Sequence, residues 1–244
     1  MAQVIKSGVP FRPLIADAIQ GLNLAFVSPS SVSIGGGNAR SSDDTHNISV
    51  STPLTVDLTT SGAGGLDTGA EAPDTFYFVY VIFDTNGANP VAGLLSVSSS
   101  SPTLPVGYNK FRRIGTVRNN SSSDIIPFSQ FGDTNDREMY YNGPVGARNV
   151  LTGGAALVVT AVDLSAFMPP TSRLAYMEWR QNGTPFLLVY TDPASPGTDN
   201  YIGILAGNDI IAWMPTSAAQ QVAYLNFGGG GNADAWLIGY KEAV

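Results

Sequence analysis

The only histidine of the chain, His46, lies in the run Ser41-Ser42-Asp43-Asp44-Thr45-His46-Asn47, which puts serine, aspartate and imidazole in one short segment. A hydrolytic triad needs those three groups to converge, with the imidazole oriented by a buried acid. Residues this close in a turn do not reach that arrangement, so a solvated loop is the expectation. A glycosidase would need a pair of carboxyl groups, one protonated and one ionised. The chain has four glutamates, Glu71, Glu138, Glu178 and Glu242. Glu178 lies in a strand pattern, opposite in parity to Trp179 and beside Arg180. A sugar site and an edge strand with a salt-bridged glutamate share that pattern, and the structural reading is the expected one.

Two more segments carry ligand-like residues. Gly132 to Glu138 holds Asp133, Asp136 and Glu138, oxygen ligands at spacings that can hold calcium. The full calcium-loop pattern is missing, so an ordinary acidic turn is expected. The glycine run Gly228 to Gly231 lacks the lysine and the strand-to-helix setting of a phosphate loop. It is expected to join two strands or to let another backbone approach. No catalytic residue, metal or cofactor is therefore assigned, and the expectation is a protein that is not an enzyme. Trp179, Trp213 and Trp236 remain, with ten tyrosines, as candidate glycan or subunit-interface contacts. By parity Trp236 aligns with Ile238 and Tyr240, and Trp179 with Met177, which favours core or interface.

The elements that must position these residues are strands. After the onset at Thr75, the run to Phe83 is apolar or aromatic throughout. Alternate residues of a strand point to opposite faces. Tyr77, Val79, Val81 and Phe83 thus face one way and Phe76, Phe78, Tyr80 and Ile82 the other, and both faces call for burial. Alternation also marks 22–26 and 54–58. The turn signals SPSS at 28–31, GGGN at 35–38 and SSDDTHN at 41–47 lie between them, and Asn86-Gly87 closes a turn after the long apolar run. Further strands are expected at 92–97, 108–118, 124–131, 137–142, 148–151, 155–162, 173–180, 185–190, 201–205, 210–214, 221–227 and 235–240. Short strands about ten residues apart, with turns between, predict a sandwich or jelly roll. No window shows a sustained helical period. The expected organisation is an extended N-terminal arm over 1–21, a β module over 22–142 and a C-terminal β region over 143–244; whether the two regions share one core is open at this stage. In the arm, Pro10 and Pro13 flank Phe11-Arg12, and a short helical turn is expected over 14–19. Phe11, Arg12, Leu14 and Ile15 are the candidate attachment residues, packing on another subunit or back on their own domain.

Composition narrows the partners. Charged residues make up 13% of the chain, against about a quarter in ordinary globular proteins. Low charge suits a β-rich chain with many turns, or one whose surface is covered in an assembly. A net charge of −7 argues against nucleic acid, which needs a basic footprint. Nine of the 12 basic residues are arginine, whose planar fork suits interfaces. Without cysteine there are no disulfides and no thiolate chemistry. The opening residues lack the apolar core of a signal peptide, and no apolar run reaches the length of a membrane span. A soluble chain made in a cytoplasm, without membrane insertion, is expected.

Two stretches carry a resemblance. GAGGLDTGAEAPDTFYFVYVIFD at 62–84 and PTLPVGYNKFRRIGTVRNNSSSDIIPF at 102–128 resemble a module of tail-fibre and other virion proteins of tailed bacteriophages. A Gly65-Leu66-Asp67-Thr68-Gly69 turn precedes the aromatic strand, and Pro102 to Tyr108 leads into Arg112-Arg113-Ile114-Gly115 and a polar hairpin. The segment GLNLAFVSPSSVSIGGGNARSS looks like the beginning of the module, so the resemblance covers roughly 21–135. It implies a non-enzymatic virion protein made in the host bacterial cytoplasm, homo-oligomeric with a trimer expected, with other tail or capsid proteins as partners and a host surface glycan as a candidate partner. A short tail fibre, fibre adaptor or receptor-binding component is the first reading. A capsid decoration or head-fibre protein is the alternative, and a glycan depolymerase using Glu178 or Glu138 the third.

Overall fold

Turn residues cut this chain into short strands, and antiparallel pairing collects them into four sheets. The computed structural model describes residues 16–132, 134–143, 148–183, 186–190, 201–205 and 207–244. The candidate attachment residues Phe11, Arg12, Leu14 and Ile15, and most of the expected arm, lie outside these. No α-helix occurs among the described residues, and the fold is all-β. The helical turn expected over 14–19 is not continued at its end, because Ile19 opens a strand.

The largest sheet contains β2 (Leu24–Ser28), β3 (Ser31–Ile34), β6 (Leu54–Asp57), β10 (Phe128–Phe131), β11 (Asp136–Tyr141), β14 (Ser172–Asn182), β17 (Asp209–Pro215) and β19 (Asn232–Ala243). Their order is β17-β14-β19-β11-β10-β2-β3-β6, and β12 (Asn149–Gly154) also pairs with β19. Strands from both sides of Asn142 thus share one sheet through the β11–β19 ladder. Two smaller sheets pack on one face of it. One is β8-β7-β9, from β7 (Phe76–Phe83), β8 (Ala92–Ser96) and β9 (Lys110–Arg118); the other is β13-β18-β15-β16, from β13 (Thr160–Asp163), β15 (Phe186–Tyr190), β16 (Tyr201–Leu205) and β18 (Gln221–Phe227). A third small sheet joins β1 (Ile19–Gly21), β4 (Gly37–Arg40) and β5 (Asn47–Val50).

The expected double burial of β7 is realised by parity. Tyr77, Val79 and Val81 enter the main core cluster with Leu24, Ile34 and Met139. Phe78, Tyr80 and Ile82 form a second cluster with Leu94, closed from outside by Leu104, Tyr108 and Phe111. The segment 35–40 departs from expectation. GGGN at 35–38 runs into strand β4 instead of remaining a turn, while the turn signals at 28–31 and 41–47 do hold turns, and β3 and β5 beside them are strands that alternation did not mark. Its glycines serve close approach: a Cβ at Gly37 would overlap the Gln20 carbonyl across the β1–β4 ladder.

Arg112 and Arg113, adjacent on β9, fasten both ends of the described chain. Arg112 is buried, pairs with Asp17 and donates to the Val244 carbonyl at 2.6 Å. Arg113 donates to the Ala243 carbonyl at 2.5 Å and lies 3.6 Å from the Glu242 carboxylate. Glu242 is enclosed, with Thr116 and Thr171 hydroxyls donating to one oxygen at 2.8 and 3.0 Å. Burial pushes its carboxyl above the ordinary value near 4.5, outweighing the pull of Arg113 and the hydroxyls. The folded chain therefore binds this proton more tightly than the unfolded chain. That contribution stabilises the fold in acid and is lost as pH rises from about 4.5 through the raised value. Glu242→Gln keeps the shape and removes the titration. In urea denaturation from pH 4.5 to 8, the variant is expected to gain stability relative to the parent as pH rises; a relative gain that shrinks instead would contradict the buried acid.

Candidate functional site

The described surface has two apolar features, one on the outer face of each large layer. On the outer face of the largest sheet, register lines up Tyr140, Gly239, Tyr176 and Trp213 across β11, β19, β14 and β17. Gly239 has no side chain, so the rings on either side meet above it, Tyr140 and Tyr176 with centroids 5.5 Å apart and nearly perpendicular. Trp213 lies 4.8 Å from Tyr176 and 6.0 Å from Tyr140, and Phe131 adds an edge contact with Tyr140 at 5.5 Å. The three contacts of Tyr140 are edge-to-face, a favoured geometry for aromatic pairs, and the Tyr176–Trp213 pair is tilted at 36°. The Tyr140 hydroxyl donates to Glu138 at 3.1 Å, and its pKa is pushed up to about 12 by burial first and by Glu138 second.

The next row holds Trp236 beside Glu178, and Ile211 beyond it. Arg180 lies over the Trp236 ring at 5.1 Å, forms a two-pronged contact with Asp209 at 3.0 and 3.1 Å, and stands 3.5 Å from Glu178. Glu178 is thus the salt-bridged strand residue, and one ring face of Trp236 is occupied by a guanidinium. Trp179 is corrected as a surface contact: it is fully buried, with its indole N–H directed at the Met214 sulfur 3.2 Å away. The parity of Trp236 also needs correction. Register slips by one residue between Leu237 and Gly239, so Tyr240 turns into the core while Trp236 stays on the outer face, half-buried. A β-bulge flips all subsequent parity, and no residue type in the run announces it.

The second feature is the outer face of the β13-β18-β15-β16 sheet. Register gives the rows Phe227–Phe186–Leu205 and Leu225–Leu188–Gly203, with Tyr190–Tyr201 as a third pair. Phe186, Tyr201, Leu205 and Phe227 are open to solvent, with Leu205 59% and Phe227 57% exposed. None of these residues is charged, and Gly203 floors a cavity of about 420 Å³ among them. Among the described residues strand β16 is the edge of this sheet. Sequence reasoning passed this face by, although FLLVY, YIGIL and YLNF carry the signal: apolar residues at both parities, as in a sheet covered on both sides.

The other sequence candidates sit apart from these faces. Ser41 donates to Asp43 at 2.6 Å instead of to the imidazole, and His46 Nδ1 meets Thr45 at 2.7 Å, so the three residues form a local turn network. Asp43 also pairs with Lys110, which with the Ser41 and Thr45 hydroxyls holds its carboxyl far below the usual range. Asp136 lies 3.5 Å from Lys241, Asp133 is outside the described residues, and no acidic or histidine cluster that could hold a metal occurs among those described. Gly228, Gly229 and Gly230, all at positive φ, carry the chain from β18 in one sheet to β19 in another. No described helix is long and apolar enough to cross a membrane.

Together these features define an all-β protein of stacked antiparallel sheets whose distinctive outer chemistry is apolar and aromatic. Comparison with protein-family models, curated proteins and solved structures gives no match for the chain.

Proposed function

We propose that the chain is a non-enzymatic assembly and attachment protein of a tailed-bacteriophage virion, serving in the tail apparatus as a short fibre, a fibre adaptor or a receptor-binding component. The uncharged outer face bounded by Phe186, Leu205, Tyr201 and Phe227 carries this reading. An apolar face ending in an uncharged edge strand is an aggregation liability in a lone monomer, and proteins that keep one cover it. A second copy fits: copies of a chain with net charge −7 repel one another over most of their surface, and this face brings no charge into contact. The resemblance of residues 21–135 to the fibre-type module supplies the virion setting. The carboxylates a depolymerase would use are already engaged, Glu178 by Arg180 and Glu138 by Tyr140.

Two measurements test the reading. In sedimentation equilibrium the full chain is expected to associate, with a trimer as the expected state. Phe186→Asp with Leu205→Asp is expected to weaken association roughly 100-fold or more, the effect of losing two buried apolar anchors, while far-UV circular dichroism stays unchanged. A wild-type chain that remains monomeric defeats the self-association. Quantitative mass spectrometry of purified particles then sets the position. A few to a few tens of copies support the tail, hundreds support capsid decoration instead, and none overturns the virion role.

A further inference from the structure

Away from both apolar faces, a cleft of about 450 Å³ opens where the end of β9 and the 119–127 turn approach the start of β12. Two arginines line it, and both are more than nine-tenths buried, Arg118 at 6% and Arg148 at 3% exposure. Arg118 lies between the Phe76 and Phe167 rings, 5.6 and 4.9 Å from their centres, and pairs with the exposed Asp74 at 3.1 Å. Arg148 donates to the Tyr141 carbonyl at 2.5 Å and the Gly143 carbonyl at 3.4 Å and lies over the Tyr141 ring at 5.9 Å, with no carboxylate within ion-pair distance among the described residues. A guanidinium has five N–H donors, of which the hydrogen bonds to Tyr141 and Gly143 use two on Arg148. With Asp74 offsetting Arg118, one buried positive charge stands over, on a chain whose net charge is −7. A buried charge is normally paired.

We infer that this cleft binds an acidic sugar, a uronate- or sialate-type residue, by its carboxylate. The planar guanidinium fork matches a carboxylate in two-pronged geometry. The rest of the lining suits the ring of a sugar. Asn120 gives its side-chain carbonyl to the Ser122 and Asp124 amides at 2.8 and 3.0 Å, which leaves its own N–H donors for hydroxyl groups. Ser121 adds a hydroxyl, and Phe167 an apolar wall. The volume is within the range of small-ligand sites.

Titration calorimetry of the full chain with methyl glucuronide, methyl glucoside and inorganic phosphate tests the assignment. The glucuronide is expected to bind saturably, with the neutral glucoside and phosphate each at least tenfold weaker. Arg148→Gln is expected to lower glucuronide affinity at least tenfold. Should that variant fail to fold, Asp74→Asn decides. It removes the competing exposed carboxylate, and asparagine accepts the positive φ of 52° found there, so affinity is expected to rise several-fold with the fold kept. Equal binding of glucuronide and glucoside, phosphate binding as tight as glucuronide, no saturable glucuronide binding by the folded chain, or no gain in Asp74→Asn would each overturn it. None of these outcomes depends on which particle carries the chain.

Discussion

Gly239→Ala is expected to lower the unfolding free energy by about 3 kcal/mol or more, the upper end of what overpacking costs. A Cβ at this position would overlap the Met139 carbonyl oxygen and press on the Tyr140 Cα. Both are backbone of the neighbouring strand, so no rotamer change relieves the contact. The β11–β19 ladder must separate, and it is the ladder that joins strands from the two sides of Asn142 into one sheet. Urea denaturation measures the loss, and near-UV circular dichroism is expected to lose intensity with the tyrosine–tryptophan cluster. Wild-type stability in this variant would show that the two strands are not in the stated register.

Trp179→Ala is expected to cost about 3–5 kcal/mol, the range for removing a large buried aromatic side chain. For a chain of this length that corresponds to a fall in Tm of roughly 10 °C. The indole is fully enclosed between β14 and the smaller sheet, with its N–H on the Met214 sulfur and its ring 6.3 Å from Tyr224 of β18. Truncation leaves a cavity between two sheets that the buried Gln181–Asn226 hydrogen bond, donated by the Gln181 amide at 3.0 Å, also ties together. Trp236→Ala, on the outer face, removes a cation–π contact of about 0.5–1 kcal/mol and is expected to melt near the parent. Equal losses from the two substitutions, read by calorimetry, would place both indoles on the same side of the sheet and contradict the fold.

How far such positions are legible in the chain depends on whether local rules hold along a strand. In β7 they hold without interruption, and the two faces read from alternation are the two core clusters observed. In β14 the opposite parity of Glu178 and Trp179 likewise survives, one on the outer face beside Arg180 and the other enclosed. In β19 they fail at Ile238, where one unpaired residue reverses the direction of everything after it. In β4 they fail differently: glycines that usually make a turn instead make room for a neighbouring backbone, and only the neighbour's position distinguishes the two uses.

The same division separates the surfaces. Composition and alternation by themselves determined an all-β chain with many turns, few charges and an aromatic strand buried on both faces, because these follow from side-chain polarity and the two-residue period of a strand. Tertiary structure alone decided which apolar residues stay outside, since β15, β16 and β18 are apolar at both parities and only sheet stacking selects the covered side. It also decided that Arg118 and Arg148, thirty positions apart in the chain, line one cleft, one paired with Asp74 and the other with no acidic partner among the described residues. Contacts between residues so distant in sequence come from sheet order and loop closure, which no local pattern encodes.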